Sequence, residues 1–251
     1  MQMIDLFLKT NKDLCNKCKC YLPQAQTNIF QLYNEYIIQY MNIRCNQIVV
    51  DAGGGRSCSF AKHKALHKNT QIISVDISEE QLKYNYDVDK KIVADIMRGL
   101  PFRNEKVDLL VSKSVLEHLE KLENFIIHSS RVLKKNGCCI HLFPSKFAPF
   151  SLINQLLPKN ISKKLLYFLK PKSRGFCGFP SFYNKCFYSA IKSLFEKHGF
   201  EIVDVHLSYY QSPYFDFFVP LYLFSAIYDI ILQIVGAKNL CAYILVVAKK
   251  L

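Results

Sequence analysis

The chain does not open on a charged stretch followed by a clean apolar core, so no secretory leader is expected. No uninterrupted apolar run reaches the roughly twenty residues of a membrane span. The most apolar stretch, Tyr214 to Val235, is broken by Asp216, Pro220 and Asp229, and charge at mid-bilayer is costly. No second closely spaced Cys/His pair follows Cys15, Cys18 and Cys20, so this half of a zinc knuckle lacks its partner unless folding brings Cys45 to it. No metal is expected. Ten cysteines without a leader predict free thiols in a reducing, cytoplasmic setting. Acids are scarce, 20 against 33 Lys and Arg, and the net charge of +13 favours polyanions as partners, although much of the lysine also suits a solvated surface.

What is present reads as one α/β unit. With 251 residues, half of them apolar, the chain is long enough for a single large core. Its most informative segment is Ile48 to Ser57, Ile-Val-Val-Asp-Ala-Gly-Gly-Gly-Arg-Ser, a β-branched strand ending in Asp51 and a glycine turn. Glycine at 53 and 55 permits positive φ and close approach of the backbone to a ligand. A helix is expected to follow from Ser57, which can cap it. A second strand, Gln71 to Val75, ends in Asp76 about twenty residues past the turn, where a dinucleotide-type fold places a ribose-binding acid. Asp95 ends the run Ile92 to Ala94, and Val107 to Val111 and Gly137 to Phe143 complete five strands. In an open parallel sheet these acidic ends share the edge where ligands bind.

The ordered segments Asp51-Ala-Gly-Gly-Gly-Arg-Ser57, Val75-Asp76-Ile-Ser78, Ala94-Asp95-Ile96, Leu100-Pro-Phe102, Val107-Asp-Leu-Leu-Val-Ser-Lys-Ser-Val-Leu-Glu-His-Leu119 and Arg131-Val-Leu-Lys-Lys-Asn-Gly137 resemble the class I S-adenosylmethionine-dependent methyltransferases, in the small-molecule methyltransferase type 11 group. The resemblance covers roughly Ile48 to Leu142. It implies a Rossmann-like, seven-stranded, mainly parallel sheet with a terminal antiparallel hairpin and helices on both faces. Ser57 stands where the group usually has glycine, and the role of Arg56 stays open.

Periodicity supplies the rest of the layout. Residues 1–44 predict a helical lead-in or lid, with Ile29, Leu32, Tyr33, Tyr36, Ile37 and Tyr40 recurring at three and four. By the resemblance, residues 45–251 are expected to form the methyltransferase domain. Leu122, Phe125, Ile126, Val132 and Leu133 make one helical face, with Lys134 and Lys135 at its negative end and Asn136-Gly137 as its stop. A further helix carries Ile191, Leu194 and Phe195 and ends at His198-Gly199; strands at Phe200 to Leu207 and Tyr243 to Ala248 make the hairpin.

Two inserts, 144–188 and 208–240, lie outside this core and are expected to carry acceptor choice. The first interleaves Phe147, Phe150, Leu152, Ile153, Leu156, Leu157, Leu165, Leu166, Phe168 and Leu169 with Lys159, Lys163, Lys164, Lys170, Lys172 and Arg174. The second centres on the apolar run 214–235. It reads either as a helix packed on the sheet or as an interfacial surface receiving a lipid-linked substrate, so peripheral membrane contact stands as an expectation beside the cytoplasmic setting.

The resemblance implies S-adenosylmethionine as cofactor. Asp51 with the backbone at Gly53 and Gly55 then holds its amino-acid end, Asp76 with neighbouring Ile77 takes the ribose, Asp95 with Ile96 reads the adenine, and Ser112 lines the donor near its methyl. An oxygen acceptor also needs a base, and His118 is the best-placed candidate; the rival reading is that Glu117-His118 caps and orients a helix. His141 inside a strand reads as structural, and Tyr183, Tyr209 and Tyr210 as either acceptor contacts or packing. The expected acceptor is a small molecule, a saccharide or a lipid-linked saccharide by layout. The rivals are an RNA or other nucleic-acid methyltransferase, favoured by charge but lacking Asn-Pro-Pro-Tyr after the fourth strand and any appended RNA-binding module, and a catalytically silent binding protein of the same fold. A nicotinamide enzyme would want glycine where Cys58 stands.

Overall fold

A computed structural model describes residues 2–25, 27–43, 45–66, 69–158, 160–162, 164, 167 and 179–251. Seven strands form one sheet: β1 (Ile48–Ala52), β2 (Gln71–Asp76), β3 (Lys90–Val93), β4 (Val107–Lys113), β5 (Leu133–Pro144), β6 (Phe200–Ser208) and β7 (Tyr243–Lys250), in the order β3-β2-β1-β4-β5-β7-β6. The pairs from β3 to β5 are parallel, and β7 runs antiparallel to both β5 and β6. This is the mainly parallel sheet and terminal hairpin expected of the sequence. The Val, Ile and Leu runs of β1, β2 and β4 are buried because helices cover both faces, the condition for a parallel sheet.

One face is covered by α2 (Ile29–Ile43), whose Ile29, Tyr33, Ile37 and Met41 are buried against the odd positions of β4 and the even positions of β5. The other is covered by α4 (Leu122–Val132) and by α6 (Tyr188–Lys197), which buries Ile191, Leu194 and Phe195. α1 (Gln2–Lys19), α3 (Glu79–Lys83), α5 (Pro149–Leu156) and α7 (Val219–Val235) complete the numbered helices. α1 lies on α7: Asn11 Oδ1 accepts the Val219 N–H at 2.9 Å, and the Cys15 thiol donates to the Asp216 carbonyl.

Three local expectations need correction. The segment after the glycine turn forms a 3-10 turn, Ala61–Leu66, instead of a helix from Ser57, because the Cys58 N–H is taken at 2.8 Å by the Asp87 carboxylate. α4 stops at Val132, four residues before Asn136-Gly137, and β5 starts at Leu133 rather than Gly137. Between them the ladder to β4 slips a register, with Asn136 at φ 63°. Lys134 does not face the helix end; its Nζ lies 2.7 Å from Asp108 Oδ1, whose other oxygen accepts the Ile48 N–H.

The inserts have a defined place. β5 ends at Pro144 opposite Tyr243, the first residue of β7, and β6 ends at Ser208 opposite the same residue. The chain therefore leaves and re-enters the sheet at the edge where the parallel strands have their carboxyl ends. Of the first insert, Lys159, Lys163, Leu165, Leu166, Phe168, Leu169, Lys170, Lys172 and Arg174 lie outside the described residues.

Candidate functional site

The glycine turn is built by three different constraints. Gly53 sits at φ 71° and donates its N–H to the Val75 carbonyl at 2.7 Å; a Cβ there would come within 2.4 Å of Val115 Cγ2. Gly55 sits at φ 51° and donates to Asp76 Oδ2 at 3.0 Å. Gly54, which periodicity and φ arguments pass over, is required by space, since a Cβ would lie 2.2 Å from Ser74 Oγ and 2.8 Å from Asp51 Oδ2. The turn is closed from below by Asn85, whose amide donates to the carbonyls of Gly55 at 3.1 Å and Gly54 at 3.4 Å. Arg56 leans on α3, donating from Nε to Gln81 Oε1 at 2.7 Å and lying over the Tyr84 ring.

Beneath this turn lies Asp51, 7% exposed. Burial pushes its carboxyl up to about 7, with neighbouring Asp76 adding to the rise while Lys113 and the Cys58 thiol pull it back. Asp51, Gly53, Ser57, Phe60, Lys113 and Tyr33 of α2 line a small cleft at the end of β1. Asp76 follows on β2, half-buried, its Oδ1 accepting the Ser78 N–H at 2.8 Å. Ser78 in turn caps α3 by accepting the Gln81 N–H at 3.3 Å. Ile77 stands out into solvent at 60% exposure. The Ala94 N–H binds the Asp76 carbonyl at 3.0 Å, which sets Asp95 just past the end of β3. Asp95 Oδ1 accepts the Met97 N–H at 2.9 Å and its other oxygen pairs with Arg98 at 3.3 Å, whereas the Ile96 side chain turns into the core. Asp51, Asp76 and Asp95 thus stand on three successive strand ends along one edge, the first two close enough to influence each other electrostatically.

Ser112 differs from the expectation. Its side chain is fully enclosed on the α4 and α6 face, where Oγ lies 2.7 Å from His141 Nδ1. Alternation along β4 instead turns Lys113 to the cleft, with Nζ 3.4 Å from Ser59 Oγ. Lys113, Gly54, Asn85 and Tyr33 are site residues that motif reading missed; for Lys113, counting side-chain parity from Asp51 and its partner Val111 would have found it.

Past β4, Leu116–His118 forms a short 3-10 turn. His118 Nδ1 donates to the Pro180 carbonyl at 2.8 Å, leaving the lone pair on Nε2, and burial holds the imidazole below its usual range, so it is neutral at pH 7. Glu117 is buried, with Oε2 lacking a partner, and desolvation raises its carboxyl to about 8. Its carbonyl accepts the N–H groups of Phe182 at 2.8 Å and Tyr183 at 3.1 Å. Glu117-His118 therefore anchors the returning end of the first insert instead of capping α4, whose N-cap is Lys121. Tyr183 is buried beside this turn; Phe150 stacks on Tyr214 at 4.1 Å and close to Tyr243, so aromatic rings crowd the β5 and β7 end of the same edge that carries the acids.

Residues 50–141, from β1 to β5, match the family model described as a methyltransferase domain. An uncharacterised protein of Methanocaldococcus jannaschii is 28% identical over 162 residues, 64% of this chain and 66% of its own length, so the match spans just under two thirds of that relative. Among solved structures, the geranyl diphosphate C-methyltransferase of Streptomyces coelicolor A3(2), in complex with Mg2+, geranyl-S-thiolodiphosphate and S-adenosyl-L-homocysteine, superposes with a TM-score of 0.57 at 13% identity, covering 88% of this chain and 76% of that one. Phosphoethanolamine N-methyltransferase 2 of Haemonchus contortus, in complex with S-adenosyl-L-methionine, does so at 0.54 and 15% identity, covering 86% of this chain and 52% of that one. Identities this low establish a shared fold and nothing narrower. The matched segment 50–141 thus resembles a methyltransferase domain over a little more than a third of the chain, and the whole sheet shares the fold of the methyltransferases just named.

Proposed function

We propose that the protein transfers the methyl group of S-adenosylmethionine to a small-molecule acceptor, a saccharide or lipid-linked saccharide by the layout of its inserts. The observation that carries the reading is the cradle at the ends of β1 and β2, where a turn that admits no Cβ at 53 or 54 lies over one buried carboxylate and beside another. Such a cradle fits a cationic nucleoside: the glycines leave room for backbone contact, and carboxylates attract a positive charge as strongly as they repel a pyrophosphate. Asp51 and the backbone at Gly53 and Gly55 hold the amino-acid end, Asp76 the ribose hydroxyls, and Asp95 with the Ile96 backbone the adenine; exposed Ile77 lies beside the ribose acid. Ser112, with its hydroxyl enclosed, has only backbone to offer.

S-adenosylmethionine brings a methyl already activated on a sulfonium. The protein's task is then alignment of a nucleophile and removal of any proton it carries. His118 meets the second need: its Nδ1–H is fixed by Pro180, and neutral Nε2 can accept a proton from an acceptor hydroxyl.

Calorimetric titration with S-adenosylmethionine and with S-adenosylhomocysteine tests the reading, and failure of well-folded protein to bind either would remove it. The pH dependence is a sharper probe. Asp51 titrates near 7 in the free protein, and a ligand ammonium favours its carboxylate form. Binding should therefore release a proton below pH 7, with affinity rising up to tenfold per pH unit toward about 7 and levelling above it. Asp51→Asn should flatten the profile; an unchanged slope in that variant would take Asp51 out of the donor site.

A further inference from the structure

The outer face of α7 is apolar along its whole length. Leu223, Phe224, Ile227, Ile231, Ile234 and Val235 are exposed, Phe224 at 70% and Ile234 at 78%, and their spacing makes one stripe of roughly 18 Å at 1.5 Å per residue. Asp229, the helix's one acid, is turned inward, where its carboxylate accepts the N–H groups of Gln211 and Ser212 at 3.1 Å each. The one charge within α7 therefore does not face outward. α7 leaves β6 and feeds β7 at the ligand-binding edge, so the stripe belongs to the same end of the molecule as the cradle. The other excursion from that edge, 144–188, has eight Lys and Arg and no Asp or Glu.

We propose that the exposed stripe of α7 docks the protein on an anionic lipid bilayer, lying in the headgroup region with the mouth of the cleft turned to the membrane. Among the described residues no helix is long and apolar enough to cross a membrane, and the stripe is the face of an interfacial helix, not of a span. Charge decides between occupants. A second copy carries the same net charge of +13 and is repelled, whereas anionic headgroups attract both the basic excursion and the chain as a whole. The proposal deepens the reading of the acceptor as lipid-linked and takes its purpose from it, but docking is read independently of methyl transfer.

The experiment is flotation of the full chain with vesicles of phosphatidylcholine alone or with about 30% phosphatidylglycerol, at low and high salt. The expected result is recovery with anionic vesicles roughly tenfold above neutral ones, reduced by salt, and its loss in Phe224→Glu/Ile231→Glu while calorimetric donor binding is kept. If that pair does not fold, Phe224→Ser alone should still lower recovery severalfold. Absence of flotation with either vesicle, flotation unchanged by folded stripe variants, self-association dissolved by those variants without vesicle binding, or binding to RNA but not to vesicles would each overturn it. Loss of donor binding with flotation intact would strike the methyltransferase reading and leave docking standing.

Discussion

Asp76→Ala should weaken S-adenosylmethionine binding by roughly a hundredfold to a thousandfold, the largest single effect on the donor. Two bonds from a carboxylate to ribose hydroxyls are charge-assisted, each worth about 1.5–3 kcal/mol, and both vanish with the side chain. The same substitution removes the acceptor of the Gly55 N–H at 3.0 Å and of the Ser78 N–H at 2.8 Å, so it loosens the turn and the start of α3 as well. Asp76→Asn keeps an oxygen for one of these donors and separates the two contributions: a loss nearer tenfold in Asn would report lost charge and ribose contact, and the further loss in Ala the support of the turn. His118→Ala lies on the far side of β4 and should leave donor affinity within about twofold while lowering turnover on an oxygen acceptor by about 100-fold or more. Calorimetry that reverses the order of Asp76 and His118 would overturn both assignments.

Glu117→Gln should make the protein more stable at neutral pH and change little in acid. The carboxyl of Glu117 sits at about 8 in the folded protein, raised by burial from an ordinary 4.5, and its Oε2 has no partner. Below pH 4.5 both folded and unfolded chains hold the proton and burial of this group carries no pH-linked penalty. Between about 4.5 and 8 the unfolded chain releases the proton and the folded one keeps it, so stability is lost as pH rises through that window. At 1.36 kcal/mol per pKa unit the penalty approaches about 5 kcal/mol as an upper bound. Glutamine cannot ionise, and the variant should therefore gain on the order of 5–10 °C in Tm at pH 8 relative to its difference at pH 4.5. Parallel pH profiles of Tm for the two proteins would contradict the burial of an ionisable carboxyl there.

The glycine turn and the acids behind it are legible along the chain because their constraints are local. A positive φ at Gly53 and Gly55, and a carboxylate ending each of two β-branched runs, leave marks within ten residues of themselves. The helix stops were less legible. Asn136-Gly137 has the composition of a helix stop, yet α4 ends earlier because Leu133 is needed opposite Val107 and Lys134 opposite Asp108, partners 26 residues away. Ser112 was misplaced for a related reason. Its position at the end of β4 is visible in sequence, but its face is set by parity against His141 on the neighbouring strand.

From the amino-acid sequence alone come the strand order's raw material, the family resemblance, the cradle of Asp51, Gly53, Gly55 and Asp76, and the basic character of the first insert. These depend on propensity, periodicity and charge, which are properties of neighbouring residues. Tertiary structure alone decided that Gly54 has no room for a Cβ, that Lys113 and not Ser112 meets the cleft, that Glu117 is sealed with its Oε2 unpartnered, and that α7 turns Asp229 inward and Ile227, Ile231 and Ile234 out. Each of those depends on atoms brought together across the sheet by packing, and contacts between residues distant in sequence leave no periodic trace in the chain.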